Sequence, residues 1–151
     1  MCRSDVKMPK KPGSKSIAEL EGVEWPPLKG GAPPSALRCH ALRKKPISQL
    51  EVADLRLLIG QDVGLPFSVP LALDILERDP LIEAEHYRGD LLAAVLRAAP
   101  QFYGERPEVR SRVEKLLVSL PLALEGLDHI DFDASSEALD EAIDQFRRGQ
   151  R

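Results

Sequence analysis

Apolar and polar positions along the chain alternate in short helical stretches, punctuated by proline and glycine. Ser16 and Glu19 stand three residues apart, the spacing at which each side chain satisfies the other's backbone N–H, and Ile17 and Leu20 share a face. These signals predict a short helix over about 17–22, closed by Gly22. The following VEWPPLKGGAPP carries four prolines and cannot hold a regular element; its Trp25 reads either as an anchor pinning the loop or as a binding aromatic. A helix is expected from Ser35, with Leu37, Cys39 or His40, Ala41 and Leu42 inward. Pro46 stops it after a last turn of Arg43, Lys44 and Lys45, where cations complement the helix dipole. Ser48 and Glu51 repeat the capping spacing ahead of Leu50, Val52, Leu55, Leu58 and Ile59, a helix ending near Gly60.

The segment LPFSVPLALDILERDP alternates like a strand but also recurs like a helix. Pro66 and Pro70 decide for the helix: both are poor in a central strand, whereas Pro70 is tolerable in a helical first turn. Apolar residues on nearly every side predict this as the central, most buried helix. A turn follows Pro80. Asp90 is then placed to cap a helix carrying Leu91, Leu92, Val95 and Leu96 and ended by Pro100. Pro107 opens another through Val109, Val113, Leu116, Leu117 and Leu120, which Pro121 kinks or ends. A last helix over about 135–148 carries Leu139, Ala142, Ile143 and Phe146 on one face. The expected fold class is all-α, a compact bundle of about six amphipathic helices: residues 16–151 as a single helical domain behind a disordered basic tail, 1–15.

Composition narrows the setting. Aromatic residues make up 5% of the 151, and the apolar weight falls on Leu, Ala, Ile and Val, which favours helices over a sandwich. Two cysteines, Cys2 and Cys39, do not make a disulfide framework, so a reducing compartment fits. The basic opening is followed by no apolar signal region, and no stretch is long enough for a membrane span. A cytoplasmic protein without membrane contact is expected. The net charge of −3 conceals a gradient: residues 1–48 hold ten Lys/Arg and four Asp/Glu, residues 125–151 three and eight.

Enzymatic patterns are missing: no phosphate-binding glycine loop, GxSxG, CxxC or HExxH. His40, His86 and His129 lie far apart and read as surface or core residues, not as metal ligands or bases. Cys39 and His40, being adjacent, point about 100° apart on a helix and make a poor nucleophile–base pair. No enzyme activity, cofactor or metal is therefore expected. The basic run Arg38–Lys45 suggests an alternative, a small nucleic-acid-binding regulator, but it lacks interleaved aromatics in an acidic protein. The acidic C-terminal stretch has no Lys or Arg from 125 to 144. Its residues Asp131, Asp133, Glu137, Asp140, Glu141 and Asp144 read as a solvated helix face, as a surface that attracts cationic protein and repels nucleic acid, or, least favoured because no glycine follows as a Ca²⁺ loop requires, as carboxylates for a metal or acid/base chemistry.

One longer signal runs through the middle of the chain. CHALRKKPISQLEVADLRLLIGQDVGLPFSVPLALDILERDPL, followed by YRGDLLAAVLRA and preceded by SIAELEG, resembles the immunity proteins of bacterial contact-dependent growth inhibition (CDI) systems over about residues 16–115. The resemblance implies a cytoplasmic protein that binds and neutralises the cognate toxin domain, the C-terminal domain of a large CdiA-type exported effector. Such toxins are frequently nucleases, so a cationic target surface is implied, and the acidic stretch becomes a candidate mimic of nucleic acid. That stretch lies outside the resembling segment. Should it prove only solvated, the next places to look are His86–Asp90 and the loop near Trp25.

Overall fold

The computed structural model describes residues 15–23, 25–26, 28–125 and 133–149. The expected tail, Lys15 excepted, and Asp131 and His129 lie outside these. Among the described residues regular structure is helical throughout: eight α-helices and one 3-10 turn, with two isolated β-bridges. The all-α class is as expected. The chain divides into two compact units, residues 1–51 and 52–151.

The first unit holds α1 (Ile17–Glu21), α2 (Pro34–Leu42) and the 3-10 turn Ile47–Gln49. The Ser16–Glu19 capping box forms, with Glu19 N–H donating to Ser16 Oγ at 3.2 Å, and Gly22 closes α1 at φ 69°. Backbone bonds from Ala18 to the Arg43 carbonyl and from Ile47 to the Lys15 carbonyl, both 2.9 Å, tie α1 to the segment after α2. In α2 Cys39 and Leu42 are buried, but Leu37 is 52% exposed and Ala41 is exposed as well. At about 100° per residue both stand roughly opposite Cys39. Arg43 takes the inward place expected for them. Ser48 caps no helix at Glu51's spacing; it sits inside the 3-10 turn, and the extended Leu50 separates it from the next helix.

The second unit holds α3 (Val52–Gly60), α4 (Leu65–Leu76), α5 (Asp90–Arg97), α6 (Pro100–Glu105), α7 (Pro107–Glu125) and α8 (Asp133–Gly149). The most buried helix is α5, not α4 as the apolar pattern predicts. Leu91, Leu92, Val95 and Leu96 of α5 are sealed between α3, α4 and α8, whereas α4 leaves Phe67, Leu71 and Ile75 half-buried. An all-round apolar sequence permits central burial but does not choose which helix has neighbours on every side. Gly64 at φ 58° starts α4 early, so Pro66 occupies the first turn and Pro70 lies inside the helix. The Ser68 hydroxyl donates to the Gly64 carbonyl at 3.0 Å. Likewise α7 runs on through Pro121, which lies on an exposed side near the end and removes one backbone bond without ending the helix.

The turn after α5 produces a helix that the pattern hides. Pro100 stops α5 but also opens α6, because its fixed φ suits a first helical residue. Through α6, Phe102 and Tyr103 enter the core; the Tyr103 ring meets those of Phe102 and Phe146, each edge to face at 5.3 Å. Its hydroxyl donates to the Val95 carbonyl, and burial, then the charge of Asp62, pushes the phenol above its ordinary range.

Gly89, at φ 87°, is the N-cap of α5, with 3.6 Å between an added Cβ and the nearest atoms of Leu139 and Leu81. There is room for a methyl group, so the backbone conformation alone penalises one. Gly89→Ala should lose about 1–2 kcal/mol in urea unfolding, the cost of a left-handed residue with a side chain. An unchanged midpoint would show that the turn relaxes.

Candidate partner-binding surface

Two-sided patterning places the acidic residues. α8 buries Leu139, Ala142 and Phe146, with Ile143 half-buried, and packs on α5. Glu137, Asp140, Glu141 and Asp144 are exposed on the other side, within an arc of about 100°. Asp133 opens the helix. Four acidic residues thus share one solvent-facing stripe held by a buried apolar stripe. Cations adjoin the stripe: Arg147 and Arg148 are exposed in the last turn of α8, and Arg97 of α5 places its guanidinium 3.8 Å from the Glu141 carboxylate and donates to the Ala138 carbonyl at 3.2 Å.

Beside this stripe lies the loop from α4 to α5, whose conformation is set by Asp90. The sequence predicts Asp90 as the cap of α5, but Gly89 holds that place. The Asp90 carboxylate instead reaches back to accept three backbone N–H groups, Ala84 at 2.6 Å and Glu85 and His86 at 2.9 Å each. Arg56 Nε approaches it at 3.6 Å. Gly89, preceding it in the left-handed region, is what turns the chain so that the side chain meets the loop rather than the helix end. Burial raises the acid's pKa, but the backbone bonds from His86, Ala84 and Glu85 and the charge of Arg56 outweigh it and hold the carboxyl below its usual range. A segment without regular structure is thereby fixed, with His86 exposed and Tyr87 half-buried. Tyr87 lines two hollows, one of about 450 Å³ with Asp79, His86 and Arg88 and one of about 220 Å³ with Arg56, Gln61 and Arg97.

The first unit presents a different surface. Trp25, 38% exposed, stacks on the Arg43 guanidinium, whose carbon lies 4.1 Å from the ring centroid. Arg43 is 3% exposed and engaged, donating to Glu21 at 2.7 Å and to the Val23 carbonyl at 3.1 Å. The basic run Arg38–Lys45 is therefore interrupted at Arg43. The anchoring role of Trp25 is the one its Arg43 contact shows, and the ring also lines an open cleft of about 570 Å³ with His40 and Lys44. Cys39 and His40 do not pair. The thiol is buried, which raises its pKa against the lowering charge of Arg38, and His40 Nε2 lies 3.1 Å from the Pro26 carbonyl.

A family model of CDI immunity proteins matches residues 19–113, well over half of the chain. The chain belongs to this family. Among curated proteins and solved structures, none matches. CDI immunity proteins are non-enzymatic inhibitors of toxins. In this immunity protein the matched residues carry both hollows beside Tyr87 and most of the lining of the Trp25 cleft, while α8 lies beyond them. Among the described residues no helix is long and apolar enough to cross a membrane, and no group of three His, Cys, Asp or Glu is placed to hold a metal.

Proposed function

We propose that this immunity protein works in the cytoplasm of the producing cell, where it captures the C-terminal toxin domain of a CdiA-type effector through the acidic face of α8. The observation that carries the reading is the shared exposure of Glu137, Asp140, Glu141 and Asp144 on a helix whose opposite side is locked into the core. Asp133, and Asp131 before it, would extend that charge. A surface of this sign steers a cationic partner, as expected of a domain that handles RNA or DNA, and the partner is accordingly proposed to be a nuclease. Nucleic acid itself would be repelled.

Co-expression with the toxin domain encoded immediately upstream should give a 1:1 complex and restore growth. Its association rate should fall with added salt, because exposed charges are screened over about 10 Å at 0.1 M. Absence of binding by calorimetry would overturn the reading. A nucleic-acid-binding role for Arg38–Lys45 draws less support, since Arg43 is buried against Trp25 and spent on Glu21.

A further inference from the structure

The smaller hollow beside Tyr87 interrupts the acidic surface with positive charge. Its charged lining is Arg56, Arg97 and Asp90. Asp90 is buried, and its oxygens already accept three backbone bonds. Arg56 holds Asp90 and Glu85 only at 3.6 and 3.9 Å, and its Nε makes no hydrogen bond among the described residues. Arg97 meets Glu141 at 3.8 Å through an exposed ion pair, which is easily exchanged for a better one. Two arginines thus line a hollow in which the one carboxylate is saturated. Tyr87 and Gln61 complete a wall with aromatic and amide character.

Size restricts the occupant. At about 220 Å³ the hollow is below the usual range for small-molecule sites, roughly 300–1,000 Å³, and suits one inserted side chain. We infer that this hollow is a specificity pocket that receives a single acidic side chain of the toxin domain, placed between Arg56 and Arg97 and against Tyr87. The inference rests on the toxin-binding reading and adds to it a contact of opposite sign. The acidic stripe attracts any cationic domain, whereas a carboxylate-accepting pocket at its margin fixes register and rejects cationic surfaces without an acid at that place. Arg97 joins the two features, since its Glu141 pairing places the stripe at the pocket's rim. The loop that supplies Tyr87 is held by Asp90, so the pocket exists before the partner arrives.

The sign of one substitution separates this pocket from simple steering. Arg97→Gln removes a positive charge from a surface that attracts cations. Were the hollow a bystander, the more negative surface would bind the upstream-encoded toxin domain as fast or faster and as tightly. With a carboxylate seated there, binding weakens at least tenfold, chiefly through faster dissociation, while the association rate holds or rises. Gln61→Trp, at an exposed position, fills the hollow without touching the charges and should weaken binding by a similar factor. Circular dichroism and thermal unfolding would verify that both variants fold, and surface plasmon resonance would supply the rates. Affinity of both variants within threefold of the natural chain overturns the pocket and leaves the acidic-face reading standing. Failure of the natural chain to bind removes the reading on which both rest.

Discussion

Reversing three exposed acids of α8, Glu137→Lys, Asp140→Lys and Asp144→Lys together, should slow association with the toxin domain by about tenfold or more at low salt. Each desolvated pair that is lost costs about 2 kcal/mol of binding, so protection in a growth assay should fail as well. The direction follows from placement. The three residues lie on the solvent side of α8, and the substitution changes the charge of that side by six. The fold should persist, because exposed charges contribute little to stability, lysine is a good helix former, and Leu139, Ala142 and Phe146 still hold α8 to the core. Stopped-flow association at two salt concentrations checks the claim: the gap between variant and natural chain should shrink as salt rises. Equal rates at low salt would make the acidic stripe a solvated face only, and attention would pass to Tyr87 and Trp25.

The largest effect on stability is expected at Asp90. Asp90→Ala leaves the N–H groups of Ala84, Glu85 and His86 without their acceptor and Arg56 without its buried partner, a loss of about 3–5 kcal/mol by analogy with other buried charges stripped of a partner. Asp90→Asn keeps an acceptor oxygen but turns an NH2 group toward backbone donors, so it should fall between alanine and the natural residue. The pH dependence has a definite sign. The folded-state pKa of Asp90 lies below the ordinary 3.8, so the unfolded chain takes up the proton first as acid is added. The stabilisation is present above 3.8 and is lost as pH falls from there toward the depressed folded value. Urea unfolding at neutral pH should therefore separate the natural chain from Asp90→Asn, and the gap should close in acid. A gap that stays constant with pH would mean that the carboxylate charge is not what holds the loop.

These two residues sets differ in how they could be found. The α8 stripe was legible because period and charge are local: Leu139, Ala142 and Phe146 recur on one side, which leaves Glu137, Asp140 and Asp144 the other. The role of Asp90 was not legible. An Asp before an apolar run looks like a cap, and only the left-handed turn at Gly89 redirects it onto residues 84–86. The burial of Arg43 was not legible for a similar reason: beside Lys44 and Lys45 it reads as one more last-turn cation, but its partners Glu21 and Trp25 come from the helix and loop before it.

By itself the sequence determined the helical class, the Ser16–Glu19 start and Gly22 stop of α1, the two-faced character of α8 and, through the string from Cys39 to Leu96, the family. All of these depend on residues a few positions apart or on word order along the chain. Tertiary structure decided that α5 rather than α4 is most enclosed, that Pro100 begins a helix as well as ending one, and that Arg56, Gln61, Tyr87 and Arg97 share a hollow. Helix periodicity specifies which side of a helix is apolar, but enclosure and pockets depend on which helices meet, and that is set by packing among side chains distant in the chain.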